Sequence, residues 1–245
     1  HGVRFDHPLS RTREYVEIVE LALSRQRLRY AGKHWTLPLP DGPGKSLQLT
    51  VHPVREHIPL YLAAIGPKNL ELTGEIADGW LGIFYAPEHA ADSLERIRAG
   101  RERVGATLEG FDVVPTVPVV IGADVADCAQ PIKAYSALYI GGMGSREKNF
   151  YNQLAVRMGF AEAAARVQDL FLDRRHREAA EAVPLEFVDR TALIGPVERV
   201  RDRLHAFAES GVTTLSVAVY AGSLDERLAT LRSMVDAVEA AGLAG

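Results

Sequence analysis

Residues 59–84 read PLYLAAIGPKNLELTGEIADGWLGIF, and this stretch decides the fold. It opens with an uninterrupted apolar run of strand length, which is typical of a parallel strand buried on both faces. Gly66-Pro67 breaks the run, and Pro67 suits the first turn of a helix that ends at Asp78-Gly79. Residues 80–84 then form a second buried strand. The stretch is therefore predicted to be a strand–helix–strand unit of a parallel sheet.

The same pattern recurs further along the chain. Residues 113–121 are a third apolar strand, which two prolines should make irregular, and a helix over 124–138 follows it. Residues 212–219 are a fourth strand, between a helix that begins near Pro196 and a closing helix over 224–241. Repeated strand–helix units predict an α/β fold, either an open doubly wound sheet or an eight-stranded barrel. Four strands alone would expose apolar parallel edges, so the missing half is expected before His1.

Two segments depart from this repeat within what is predicted to be a single domain over 1–245. A helix over 11–27, with Ser10 as its N-cap, opens the chain and leads into an insertion over about 28–57 with a hairpin-like start. A helical excursion covers about 139–193; it is glycine-rich, then helical around 154–172, then densely charged.

Composition excludes several classes of protein. The 245 residues are 47% hydrophobic, which is enough for one substantial core. The net charge of −4 with mixed signs gives no basic stripe for nucleic acid, and no apolar run approaches the roughly 20 residues of a membrane span. A single cysteine, Cys128, fits a reducing cytoplasm. His52 and His57 lack partners at metal-ligand spacing, so no metal site is predicted.

The turn at Ile65-Gly66-Pro67-Lys68-Asn69 is the first candidate site. It lies at the carboxyl end of a buried strand, where barrel enzymes place their active sites, and it opens a helix whose free amides can hold a phosphate. The alternative is a tight turn in which Gly66 only supplies backbone freedom. Either interpretation is compatible with this motif alone.

Combined motifs resemble a known family. Residues 61–69 (YLAAIGPKN) with 75–80 (EIADGW), and the later stretch 195–214 (GPVERVRDRLHAFAESGVTT), are similar to the bacterial luciferase-like flavin and deazaflavin oxidoreductases. Residues 139–152 (YIGGMGSREKNFYN) resemble the branch that uses the deazaflavin coenzyme F420. The resemblance implies the C-terminal part of a luciferase-like (β/α)8 TIM barrel, with the N-terminal strands absent from this chain.

The resemblance also implies site residues. Ala64, Ile65, Gly66 and Pro67 match the turn that packs on the phosphate-bearing tail of the cofactor, and Ile83 matches a position near the same mouth. Arg146 and Lys148 lie on a glycine-rich segment, over 141–149, that could close as a lid on the anionic tail; they are equally compatible with a solvated charged turn. The remaining candidates, Phe84, Tyr85 and Thr116, lie near strand ends and would contact substrate or pack in the core.

The function implied is an oxidoreductase that transfers a hydride between coenzyme F420 and a small organic substrate. An FMN-dependent monooxygenase on the same fold is the near alternative. A third hypothesis, of another class, is a non-catalytic half-barrel that assembles with a second copy. The full-length protein is expected to be a homodimer, and its catalytic residues are expected upstream of His1.

Overall fold

A computed structural model describes residues 5–244. The helices are α1 Pro8–Leu23, α2 Pro67–Ile76, α3 Ala90–Arg103, α4 Val125–Ala137, α5 Phe150–Arg157, α6 Ala161–Leu172, α7 His176–Glu181, α8 Leu185–Thr191, α9 Val197–Glu209 and α10 Leu224–Ala240. The strands are β1 Tyr30–Ala31, β2 Thr36–Leu37, β3 Tyr61–Ala63, β4 Gly79–Gly82, β5 Asp112–Ile121, β6 Leu193–Gly195 and β7 Ser216–Val219. A short 3-10 helix covers Pro87–His89, and a π-helix covers Leu138–Gly142.

Strands β3 to β7 form one parallel sheet. Its order is β3-β4-β5-β6, and β7 also pairs with β5. The long strand β5 holds the sheet together, because residues 112–115 pair with β4 while residues 116–121 pair with β7 and β6. Strands β1 and β2 form a separate antiparallel hairpin in the predicted insertion. All carboxyl ends of the five parallel strands therefore lie at one end of the sheet, which we call the mouth.

Helices cover one face of this sheet. Val113, Val117 and Val119 of β5 are at most 3% exposed and pack with Phe207 of α9 and Met234 of α10. Alternate residues of a strand point to opposite faces. Tyr61, Leu81 and Thr116 belong to the other face, and all three are exposed. Among residues 5–244 the second face thus stays open around these three residues, whereas Val114 of β5 and Ile194 of β6 are buried on it.

Helices α2 and α3 pack unusually closely. A Cβ on Gly74 would lie 2.1 Å from the carbonyl oxygen of Ile97, and one on Gly100 would lie 1.9 Å from that of Glu71. The closeness lets Arg103 of α3 donate to both Glu71 and Glu75 of α2. This pairing fixes the direction of α2, whose first turn lies at the mouth.

Several predicted boundaries need correction. Helix α1 begins at Pro8 with His7, not Ser10, at its N-cap, because Pro8 is preorganised for the first turn; it also ends four residues earlier than predicted. Strand β5 is continuous despite Pro115 and Pro118, since its pairing passes from β4 to β7 between them. Within the described residues the parallel sheet has five strands, where four were predicted. The missed strand, β6, has only three residues.

Candidate functional site

A cavity of about 530 Å³ lies at the mouth, beside the carboxyl end of β3. Three parts of the chain build it: the turn into α2, the first two turns of α1, and the start of α5. The lining residues are Phe5, Pro8, Leu9, Thr12, Ala63, Ile65, Gly66, Pro67, Lys68, Asn69, Phe150 and Tyr151. Mostly apolar walls with a few polar groups are typical of cofactor and small-molecule sites.

The predicted turn forms one end of this cavity. Gly66 is the N-cap of α2, with φ −74° and ψ 146°, and a Cβ added to it would meet no atom of the described residues within 4 Å. Any residue can adopt this φ, so backbone freedom does not explain the glycine. No acceptor is recorded, among residues 5–244, for the backbone amides of Gly66 and Lys68. Open space over free amides at a helix N-terminus is a suitable seat for an anion.

Charge at this end also favours an anion. Among residues 5–244, the cavity lining includes Lys68 but no acidic side chain. The Lys68 ammonium lies 3.0 Å from the Glu71 carboxylate. Hydrogen bonds from Arg103 and Lys68 lower the pKa of Glu71 to about 2, so this carboxylate stays charged and paired. Arg157 of α5 donates to the carbonyl oxygen of Ile65 at 3.3 Å and brings a second cation to the end of β3.

Five predicted site residues gather around a smaller space behind the turn. Ala64, Ile65, Ile83, Phe84 and Tyr85 line a pocket of about 30 Å³, which is room for about one water molecule. Ala64 is 3% exposed, and its carbonyl accepts from the indole nitrogen of Trp80 at 2.9 Å. These residues therefore support the mouth from below, while Ile65 also reaches the larger cavity.

The three predicted substrate residues lie in different surroundings. Phe84 has a left-handed φ of 49°, and its buried ring points into an aromatic cluster at the mouth. Tyr85 turns the other way, where its hydroxyl lies 2.9 Å from the Ser210 hydroxyl and its ring packs near Phe207. Thr116 is exposed in the middle of β5, beside Ser216, and does not line the cavity. Phe84 points into the aromatic cluster, Tyr85 shares the small pocket behind the turn with it, and Thr116 lines neither space.

The glycine-rich segment over 141–149 begins within the last two residues of the π-helix. Gly141 and Gly142 pack against Phe171, where an added Cβ would lie within 2.4 Å of that side chain. Arg146 forms an ion pair with Asp169 of α6, and Lys148 closes a tight turn with Ser145. Neither cation lines the cavity, and their predicted contact with a cofactor tail stays a prediction.

Sequence reasoning missed the far wall of the cavity. Phe150 and Tyr151 open α5, and Leu9 and Thr12 belong to α1. Asn149 was the available signal for α5, because an asparagine before an apolar stretch is a common N-cap. Its side chain accepts from the amides of Tyr151 and Asn152. Nothing in the sequence alone places that helix end opposite Gly66.

Comparison with known proteins identifies the family. The family model described as luciferase-like monooxygenase matches residues 1–214. The chain belongs to this family. The luciferase-like chain is 41% identical, over 233 residues, to a provisionally named coenzyme F420-dependent oxidoreductase of Mycobacterium tuberculosis; the match covers 92% of the chain and 67% of the relative.

Solved structures share the luciferase-like fold. A coenzyme F420-dependent tetrahydromethanopterin reductase from Methanopyrus kandleri superposes with a TM-score of 0.73 at 21% identity, covering 94% of this chain and 61% of the reductase. An F420-dependent secondary alcohol dehydrogenase, in complex with an F420-acetone adduct, gives 0.72 at 14% identity, covering 97% and 64%. The predicted luciferase-like α/β fold is confirmed. The chain spans about 60 to 67% of the length of these proteins.

Within residues 5–244, no helix is long and apolar enough to cross a membrane. The same residues contain no cluster of three or more metal-ligating side chains.

Proposed function

We propose that this luciferase-like chain belongs to an oxidoreductase that transfers a hydride between coenzyme F420 and a small organic substrate, as the sequence predicted. The observation that carries the proposal is the cavity at the end of β3. In the part of the chain that the structure describes, this cavity combines backbone amides without a recorded acceptor, an open N-cap glycine and no acidic lining. The 41% identical F420-dependent relative supports the choice of cofactor.

The residues present fit such a cofactor. Coenzyme F420 carries a phosphate and carboxylates on its tail, and charged acceptors form the stronger hydrogen bonds with backbone amides. Gly66 leaves room for close approach, and Lys68 and Arg157 supply positive charge nearby. Ala64, Ile65, Pro67 and Ile83 remain the proposed apolar supports, with Arg146 and Lys148 as candidate contacts to the tail.

When bound, a deazaflavin supplies or accepts the hydride. The chain's share is positioning and exclusion of water. The amides at the start of α2 would hold the tail, while Ile65, Phe150 and Tyr151 would keep the space beside it dry. Phe84 shapes the floor of the mouth where substrate would enter, and Tyr85 and Thr116 stay weaker candidates for substrate contact.

The experiment is a titration of the purified protein with F420, followed by turnover of the reduced cofactor with candidate substrates. Tight binding with oxygen-independent oxidation supports the proposal. An FMN-dependent monooxygenase is the second candidate, favoured by the description of the family. It would bind FMN in preference and consume oxygen, so anaerobic and aerobic assays with both cofactors separate the two.

The proposal also covers domain organisation, oligomeric state and cellular location. We propose a single domain over 1–245 that is the C-terminal part of a barrel, a homodimer in the full-length protein, and a cytoplasmic location without nucleic-acid partners. Sedimentation measures the oligomeric state. A stable dimer with no cofactor affinity would instead favour the non-catalytic half-barrel.

A further inference from the structure

Four tyrosines form a continuous strip across the mouth: Tyr151, Tyr139, Tyr135 and Tyr220. The ring centroids of Tyr151 and Tyr139 are 4.7 Å apart, as are those of Tyr139 and Tyr135. Tyr135 and Tyr220 follow at 6.1 Å. Each of the four rings is half-buried, so each keeps part of its surface exposed.

The tyrosine strip connects two cavities. Tyr151 lines the cavity proposed for the cofactor. Tyr220 comes directly after β7 and lines a separate open cavity of about 500 Å³ with Pro131 and Arg227. A molecule lying along the strip would therefore contact the cofactor cavity at the Tyr151 end.

Phe84 and Asn149 hold the tyrosine strip in place, and Phe84 does so in an unfavourable backbone conformation. Phe84 lies beneath it, with its ring 5.8 to 6.4 Å from those of Tyr135, Tyr139 and Tyr151. The left-handed φ of Phe84 is unfavourable for an aromatic residue, and such strain concentrates at functional sites. The buried Asn149 side chain donates to the carbonyl of Tyr139, in the π-helix, at 2.9 Å.

The hydroxyl groups of Tyr151 and Tyr220 differ from those of two other tyrosines, Tyr61 and Tyr85, which bond to side chains of the protein. Tyr61 donates to Asp112 at 2.9 Å, and Tyr85 bonds to Ser210. No partner is recorded within residues 5–244 for the hydroxyls of Tyr151 and Tyr220. Burial raises the pKa of both phenols, so they stay neutral hydrogen-bond donors at physiological pH.

We propose that the tyrosine strip is the substrate wall of this site and that Tyr151 and Tyr220 determine specificity. Each of these two phenols, at its own end of the strip, donates a hydrogen bond to a carbonyl or hydroxyl oxygen of a flat, largely apolar substrate. The strip of rings supplies the apolar contact, and the phenols at its two ends supply the polar one. This inference rests on the proposed function, because it assigns the substrate class of the same mouth.

The test is ligand-observed NMR of the purified protein with three probes: acetophenone, 1-phenylethanol and ethylbenzene. The first two carry oxygen, whereas ethylbenzene has a similar apolar body without it. The variants are Tyr151→Phe, Tyr220→Phe and the double variant. Tyr61→Phe is the matched control, because it removes a partly exposed phenol at the opposite end of the strands. Each protein is measured with and without F420.

We expect the double variant to bind acetophenone at least about fivefold more weakly, because neutral hydrogen bonds are lost. Ethylbenzene affinity should change less than about twofold, and Tyr61→Phe should match the unmodified protein. Absence of acetophenone binding, unchanged affinity in the double variant, or an equal loss for ethylbenzene would each overturn the proposal. Failure to bind F420, with the probe pattern intact, would refute the cofactor assignment alone.

Discussion

Replacing Gly66 with valine separates the fold of the turn from its proposed binding role. Gly66 has a φ of −74° and a ψ of 146°, which β-branched residues adopt readily. A Cβ there meets no atom of residues 5–244 within 4 Å. An apolar residue at the N-cap lowers the free energy of unfolding by up to about 1 kcal/mol. Replacing glycine also reduces the conformational entropy of the unfolded chain, which raises the free energy of unfolding by about 0.4–1 kcal/mol. The two effects nearly cancel, so Gly66→Val should shift Tm by no more than about 2 °C.

Cofactor binding should respond very differently. The valine methyl groups would occupy the space above the amides of Gly66 and Lys68, where a phosphate would approach. A hydrogen bond to a charged group contributes about 1.5–3 kcal/mol. Loss of one such bond weakens binding by about tenfold to a hundredfold. Isothermal titration with F420 measures the change, and thermal unfolding measures stability on the same samples.

Gly42→Val is the matched control for this experiment. Gly42 lies in the exposed loop after β2, lines no part of the cavity, and would bring its Cβ no closer than 3.4 Å to another atom. It should leave both Tm and affinity unchanged. If Gly66→Val binds F420 with unchanged affinity, the cofactor does not sit on this turn. A fall in Tm of more than about 4 °C would refute the geometric reasoning itself.

Three further predictions concern packing, charge and the glycine-rich segment. Gly100→Ala should lower the free energy of unfolding by about 2 kcal/mol in denaturant titrations, because the clash with the Glu71 carbonyl exceeds the gain in helix propensity; equal stability would contradict the close packing of α2 and α3. Because the pKa of Glu71 in the folded protein is lowered to about 2, its ion pairs stabilise the fold fully above the usual pKa of 4.5 and lose this effect as the pH falls towards about 2. The difference in the free energy of unfolding between the unmodified protein and Glu71→Gln should therefore shrink over that pH range. A difference that does not change with pH would count against the pairing. Hydrogen exchange at residues 143–148 should slow when F420 binds, while Gly141 and the buried Asn149 are protected already; unchanged exchange would leave Arg146 and Lys148 as a solvated turn.

The fold was predictable wherever the chain repeats a strand and a helix. The apolar run before Gly66 and the proline after it correctly located β3 and α2, because buried parallel strands and helix N-termini have distinct local compositions. Strand β6 was missed since three apolar residues carry no periodicity. The early start of α1 was missed because Ser10 resembles an N-cap, whereas Pro8 with His7 at positive φ begins the helix.

The site was predictable only in part, for a different reason. Gly66 and Pro67 indicate the start of a helix from only a few neighbouring residues of the sequence. Tyr151 reaches the same cavity from a helix in the non-repeating excursion, and its position depends on tertiary packing of the π-helix and Asn149. Likewise, Phe84 looked like an ordinary strand-end residue. Its left-handed backbone conformation depends on packing against the surrounding rings, which the sequence around Phe84 does not indicate.

These departures from local rules fall in one region of the molecule. The π-helix at Leu138–Gly142 and the positive φ of Phe84 each cost free energy that the surrounding packing must offset. Both position aromatic side chains at the mouth, next to the cavity that the regular strand–helix unit forms at Gly66. A chain stabilised for folding alone has no need of either feature. Their coincidence with free phenols is therefore an argument for a substrate wall that does not depend on the family's known members.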